Sequence, residues 1–200
     1  MEKIYYPRTI DSYLLEWKNE RAHKPLLLRG ARQVGKSSAV RQLGKTFKYF
    51  MEVNFERDKE IISVFTGNLK PKEITSRLAA FYGIPVVPGE TLLFLDEIQA
   101  CTPAIHSLWF FYEDYPELHV VAAGSLLEFA LKKMAFFGVG RVRSLFMYPM
   151  SFDEFLAATG HAGWIEAKRN ASPAEPLFEA LHGKRVESLD RKSVVEGKSV

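Results

Sequence analysis

The stretch LLLRGARQVGKSSAV, residues 26–40, constrains the architecture more than any other part of this 200-residue chain. Three leucines make a short apolar run suited to a buried strand. The run then breaks into Gly30-Ala31-Arg32-Gln33-Val34-Gly35-Lys36-Ser37, the pattern G-x-x-x-x-G-K-[ST]. The glycines let the backbone curl without side-chain clashes, so that successive N–H groups face one oxyanion. A helix beginning near Ser37 adds the partial positive charge of its N-terminus at the same point. In such a loop Lys36 reaches the β- and γ-phosphates of a nucleotide and the Ser37 hydroxyl sits on Mg²⁺. Gly30, Ala31, Arg32, Gln33, Val34, Gly35, Lys36, Ser37 and Ser38 are therefore the candidate phosphate-binding residues. With this chain's composition the pattern arises by accident roughly once in 150 such sequences. Two near matches show the contrast: Gly44-Lys45-Thr46 and Gly197-Lys198-Ser199 have Ala39 and Lys192 where the first glycine belongs.

Hydrophobic periodicity places this loop in a strand–helix alternation. Residues 9–22 predict an amphipathic helix with Ile10, Tyr13, Leu14 and Trp17 on one face. Strands are expected over 25–28, 49–56, 91–95, 119–123 and 141–148. Helices are expected over 37–43, 59–65, 71–82, 102–115 and 125–133, with Pro71 well placed in a first turn. This alternation predicts an α/β, three-layer αβα sandwich around a mostly parallel five-stranded sheet. Ser151 and Glu154 have capping-box spacing, and Gly160 stands where that helix would stop. From Gly163 onward the pattern weakens, and no internal repeat is visible.

A second constellation lies about 60 residues beyond the loop. In TLLFLDEIQ, Asp96 and Glu97 directly follow four apolar residues. An Asp at such a strand end can hold the Mg²⁺ shell, and the adjacent Glu can polarise an attacking water. Neighbouring side chains of an extended strand point apart, so two roles are geometrically sensible. The strand HVVAAGS ends in Ser125, which could sit beside the γ-phosphate or cap the following helix with Glu128. Arg141 and Arg143 precede or begin the last strand, where either could be an arginine finger from a neighbouring subunit or a surface charge. The aromatic run Trp109-Phe110-Phe111-Tyr112 reads most simply as helix packing.

Composition narrows the remaining classes. The chain is 47% hydrophobic and 26% charged, with enough apolar material for a core. No apolar run approaches the roughly 18 residues needed to span a bilayer, and the first residues lack the apolar segment of a signal peptide. One cysteine, Cys101, excludes an internal disulfide framework, and the five histidines show no zinc spacing. A cytoplasmic protein without membrane contact is expected. Charge is uneven: residues 1–48 hold eleven Lys/Arg against four Asp/Glu. Such a basic first quarter suits a phosphate, whether of a nucleotide or of a nucleic acid.

The blocks GARQVGKS, FLDEIQ, ELHVVAAGSLLEFAL and GRVRSLFMYPMSFDEFL together resemble the prokaryotic AAA-type ATPases that carry a C-terminal domain of unknown function (DUF4143). The resemblance covers about residues 5–160. It implies the ASCE type of P-loop NTPase fold, with the Asp-Glu strand inserted between the phosphate-loop strand and its neighbour. It also implies Lys36 and Ser37 at the phosphates and Mg²⁺, Asp96 on Mg²⁺, Glu97 as catalytic base, Ser125 at the sensor position and Arg141 as a finger in trans.

Members of that family usually continue for a further domain of similar size. The expected organisation here is an ATPase domain over residues 1–150 with an N-terminal helix, then the start of a helical region over 151–189. The last eleven residues, from Asp190, have no helical or strand period. Asp190–Val195 is what GATCGGAAGAGCGTCGTG, a common sequencing-adapter string, encodes, so a truncated reading frame with a spurious tail is expected. The function expected is Mg²⁺-dependent ATP binding and hydrolysis, driving or switching a partner. Homo-oligomerisation, or a protein or DNA partner bound through the further domain, would fit. The alternative is a nucleotide-gated interaction or nucleic-acid-binding module with little turnover.

Overall fold

The computed structural model describes residues 4–67, 70–125, 127 and 140–170. The helix expected over 125–133 lies, apart from Ser125 and Leu127, outside the described residues, as does everything from residue 171 onward. Two compact units divide the chain, Ile10–Pro149 and a second formed by Met1–Thr9 with Met150–Val200.

The first unit is built on five strands: β1 (Leu26–Arg29), β2 (Tyr49–Asn54), β3 (Thr91–Asp96), β4 (His119–Ala123) and β5 (Arg143–Phe146). Their spatial order is β2-β3-β4-β1-β5, and every pairing is parallel. The helices are α1 (Thr9–Asn19), α2 (Lys36–Gly44), α3 (Pro71–Tyr82) and α4 (Thr102–Asp114). Burial follows position in the sheet. Strands β3 and β4 are buried at every residue, whereas β2 and β5 at the edges are buried at alternate residues or only partly.

The strand order corrects one expectation. The Asp-Glu strand β3 is not next to the phosphate-loop strand β1. It pairs with β2 and β4, and β4 is the strand that enters beside β1. A continuous apolar run requires cover on both faces, which the sheet's centre provides, but it does not say which central strand is whose neighbour.

Successive side chains alternate between the two faces. Leu27, Leu93, Leu95, Val120 and Ala122 join a core with Ile74 and Leu78 of α3 and Ile105, Leu108 and Phe111 of α4. On the other face Phe50 stacks on Phe94 with centroids 6.4 Å apart. Here α2 comes so close that a Cβ on Gly44 would lie 2.5 Å from the Phe50 ring. Helices therefore cover both faces, as expected.

Several details differ from the sequence reading. Helix α1 ends at Asn19 and buries Ile10, Leu14 and Trp17, while Tyr13 is 48% exposed. Tyr13, at i+3 from Ile10, lies at the edge of the stripe whose centre those three occupy. Residues Lys59–Phe65 form the expected helix, of 3₁₀ type, with the β-branched Ile61, Ile62 and Val64 close together. Strand β5 is limited to four residues, leaving Arg141 before it and Tyr148 after it.

In the second unit, α5 (Phe152–Ala158) starts with the expected capping box: Ser151 Oγ accepts from the Glu154 amide and Glu154 reaches back to the Ser151 amide. Gly160, at φ 79°, follows its end. The Glu154 carboxylate also accepts from the Thr9 amide at 2.6 Å and pairs with Arg8 at 3.2 Å. Helix α6 (Ala162–Asn170) falls within the helical region expected over 151–189, although no individual helix was placed there. None of its residues is buried, so no apolar stripe marks it.

Candidate functional site

The site grows from the C-terminal ends of β1, β3 and β4, which parallel pairing brings to one edge of the sheet. At the end of β1 the chain turns through Gly30, at φ 141°. A Cβ there would lie 2.2 Å from the Met147 carbonyl oxygen, so close approach as well as the backbone angle requires glycine. Gln33 at φ 62° and Gly35 at φ 102° are also left-handed, and they wind the loop into the start of α2. A non-glycine residue held at positive φ is strain of the kind that clusters at functional sites.

Lys36, the first residue of α2, is buried, and its ammonium donates to the Gly30 carbonyl at 3.0 Å and the Ala31 carbonyl at 2.7 Å. Burial pushes its pKa down, opposed by the charges of Glu97 and Asp96. Arg32, Gln33 and Ser38 are exposed on the rim of the loop.

The loop is joined directly to the end of β3. Ser37 Oγ lies 3.1 and 3.0 Å from the two carboxylate oxygens of Asp96, 59 residues away in the chain. Asp96 is 4% exposed. Burial pushes its pKa up, the Ser37 bond opposes that, and the neighbouring charges of Glu97 and Glu52 add to the rise. A buried carboxylate in this condition gains from a cation at its oxygens. Asn54, opposite Asp96 in the β2–β3 register, donates to Asp96 Oδ2 at 3.3 Å. Its own Oδ1 is held by the amides of Glu56 and Arg57.

Glu97 leaves the strand at φ 51°, again left-handed without being glycine. Its Oε2 accepts from Gln99 Nε2 at 2.7 Å, from the Ser125 amide at 3.3 Å and from Ser125 Oγ at 3.4 Å. Lys36, Ser37, Asp96, Glu97 and Ser125 are thus linked through side-chain bonds or mutual charge, as the motif spacing predicts. Arg141 is not brought to them. Its guanidinium bonds Glu113 at 2.8 Å and lies 3.8 Å from the Trp109 ring centroid. Arg143 pairs with Glu20 instead.

Asn54 and Gln99 are site residues that the sequence reading missed. Gln99 had a weak signal, standing two positions after Glu97. Asn54 had none, because only strand pairing brings it to Asp96.

An all-parallel sheet with a glycine loop between an inner strand and a helix, and paired acids at the end of another inner strand, defines an α/β fold of the P-loop NTPase class. A sequence-family profile described as AAA domain matches residues 22–156, well over half of the chain, and the chain belongs to that family. Among solved structures it is similar to the Walker-type ATPase PABY2304 of Pyrococcus abyssi, with TM-score 0.46 and 17% identity over 96% of this chain and 72% of that one. It is also similar to the ORC2 protein of Aeropyrum pernix, solved in ADPNP–ADP complexes, with TM-score 0.51 and 12% identity. That match covers 82% of this chain and 54% of the archaeal one, so the chain spans about half of that protein's length, and the likeness concerns the fold. No curated protein matches the sequence. Among the described residues, no helix is long and apolar enough to cross a membrane.

Proposed function

We propose that this chain binds ATP with Mg²⁺ and hydrolyses it. The observation that carries the proposal is the Ser37–Asp96 contact, which joins the glycine loop to an acidic strand end buried among apolar residues. The residues suit Mg²⁺. Among the described residues no cluster of three His, Cys, Asp or Glu side chains could hold a metal ion alone. Mg²⁺ is usually bound by one or two carboxylates together with substrate phosphates and water. Ser37 and Asp96 would hold it, and its charge would relieve the burial of Asp96. When bound, Mg²⁺ neutralises charge on the phosphate oxygens.

The chain's own groups do the rest. The left-handed turns at Gly30, Gln33 and Gly35 supply a curled backbone for the polyphosphate, and Lys36 supplies the cation. Glu97 takes a proton from water, whose oxygen attacks the γ-phosphorus. The bond to the bridging oxygen breaks, and ADP leaves with that electron pair. Ser125, bonded to Glu97, would in this reading sense the γ-phosphate. In this reading residues 1–150 form the ATPase domain, and the helical region that begins at 151 leads toward a further domain that would engage a partner.

The basic first quarter gives less support to nucleic-acid binding than its charge suggests. Arg41 pairs with Glu52, Lys48 with Glu90 and Arg8 with Glu154, while Lys18 donates to Thr46 and Lys36 lies inside the loop.

Phosphate release by the wild type and by Glu97→Gln tests the proposal. The wild type should turn over ATP, and the variant should bind ATP with similar affinity but release far less phosphate. If wild-type turnover does not exceed the variant's while ATP still binds, hydrolysis is replaced by nucleotide-gated binding.

A further inference from the structure

The side chain of Gln99 does two things at once. Its Nε2 makes the shortest hydrogen bond to Glu97, at 2.7 Å to Oε2. Its Oε1 is buried with no hydrogen-bond partner among the described residues. A buried amide oxygen without a donor is unfavourable, so something must hold the amide in this orientation. Two features do. Turning the amide over would set Oε1 against the Glu97 carboxylate, acceptor to acceptor. The orphan oxygen is also seated on the backbone at Gly124, the residue that ends β4's run: a Cβ at Gly124 would lie 1.9 Å from Oε1 and 3.1 Å from the amide carbon. Any side chain at 124 would therefore displace the Gln99 amide.

The next residue, Ser125, donates to the same Glu97 oxygen through its amide and its hydroxyl. Gly124-Ser125 and Gln99 thus close on Glu97 from two sides, and all three donors meet at Oε2. Glu97 itself, at φ 51°, needs such support to hold its position.

Building on the ATPase reading, we infer that Gln99 is a positioning residue for Glu97 and that Gly124 is glycine in order to seat it. The amide fixes which carboxylate oxygen is occupied, and in this scheme the other oxygen, Oε1, is the one that would take the proton from water. Gln99 touches neither the nucleotide nor the reacting atoms in this scheme.

Three variants test the inference, each measured for ATP affinity and for turnover. Gln99→Met keeps volume against Gly124 but removes the donor. Gln99→Ala removes both, and Gly124→Ala leaves Gln99 in the sequence but expels its amide. A hydrogen bond to a charged group corresponds to a change of about ten- to a hundredfold, so kcat should fall by that factor while ATP affinity stays at the wild-type value. In a Glu97→Gln background the same substitutions should leave the residual turnover unchanged, because the group they position is already gone. If Gly124→Ala fails to fold, Gln99→Met still decides the matter. Wild-type kcat in Gln99→Met overturns the inference, as does a rise in kcat, which would make Gln99 a latch. Parallel loss of ATP affinity, or further loss in the Glu97→Gln background, also overturns it, since a merely structural residue acts that way. A wild type that binds ATP without turnover removes the ATPase reading itself, and this inference with it.

Discussion

At the scale of single residues, Lys36 is the most exposed to test. Its ammonium is buried and bonded to the Gly30 and Ala31 carbonyls, so it is already aimed into the curl of the loop. Charge-assisted hydrogen bonds contribute roughly 1.5–3 kcal/mol, so Lys36→Ala should weaken ATP binding at least about tenfold. Titration of a folded Lys36→Ala protein with a fluorescent ATP analogue checks this, and unchanged affinity would sink the assignment. Gly30, Lys36 and Ser37 were legible in sequence because a phosphate loop is local: its backbone angles and side chains are set by eight consecutive residues. Asp96 and Glu97 were legible only with the phosphate loop before them, because acids at the tip of an apolar strand are otherwise most simply solvated charges. Asn54, Gln99 and Gly124 were not. Asn54 matters only through its register opposite Asp96, and Gly124 only because Gln99 packs on it across two chain segments.

At the scale of elements, strand existence was read well and strand neighbours were not. Thr91–Asp96 and His119–Ala123 are both continuous apolar runs, and burial on two faces explains both equally, so the order β3-β4-β1 could not be chosen from pattern. Helix α6 was not given bounds because it buries nothing, and the helix at Lys59–Phe65 was read without its type because seven residues are too few to separate the α and 3₁₀ periods. The join between α1 and the start of β4 carries its own prediction. His23 and His119 are buried with ring centroids 3.8 Å apart, Trp17 packs edge-on to both, and Phe47 contacts His119. Burial, with the neighbouring His119 adding to it, lowers the His23 pKa to about 4, while Glu20 opposes the shift. His119 is lowered too, mainly by burial, with Lys18 beside it. A histidine whose folded pKa is depressed stabilises the fold fully above its unfolded pKa of about 6.5. That contribution is lost as pH falls from there toward 4, because the unfolded chain takes up the proton first. Melting temperature should therefore drop between pH 6.5 and 4, and His23→Phe should flatten the drop. An unchanged slope in the variant would place the acid sensitivity elsewhere.

At the scale of the whole molecule, the parallel sheet separates Arg141 from its own chain's phosphate loop. Arg143 pairs with Leu26 at the beginning of β1, whereas the loop follows Arg29 at its end. At about 3.3 Å per residue, roughly 13 Å of strand lies between Arg143 and Met147, the residue beside Gly30. Arg141 stands still further back, held by Glu113 and Trp109. A nucleotide on which it acts would belong to a second copy of the chain, as the family resemblance implies. A finger in trans stabilises transition-state charge more than bound ATP. Arg141→Ala should then keep wild-type ATP affinity and lose turnover, by as much as about 10³-fold when the finger is fully engaged. Wild-type specific activity should also rise with protein concentration, since the complete site needs two subunits. Mixing Arg141→Ala with Lys36→Ala protein should restore part of the activity, because the first supplies an intact loop and the second an intact finger at one shared interface. Wild-type turnover in Arg141→Ala would assign the residue to its Glu113–Trp109 contacts alone, and the absence of complementation in the mixture would leave each chain to work with the groups at its own sheet edge.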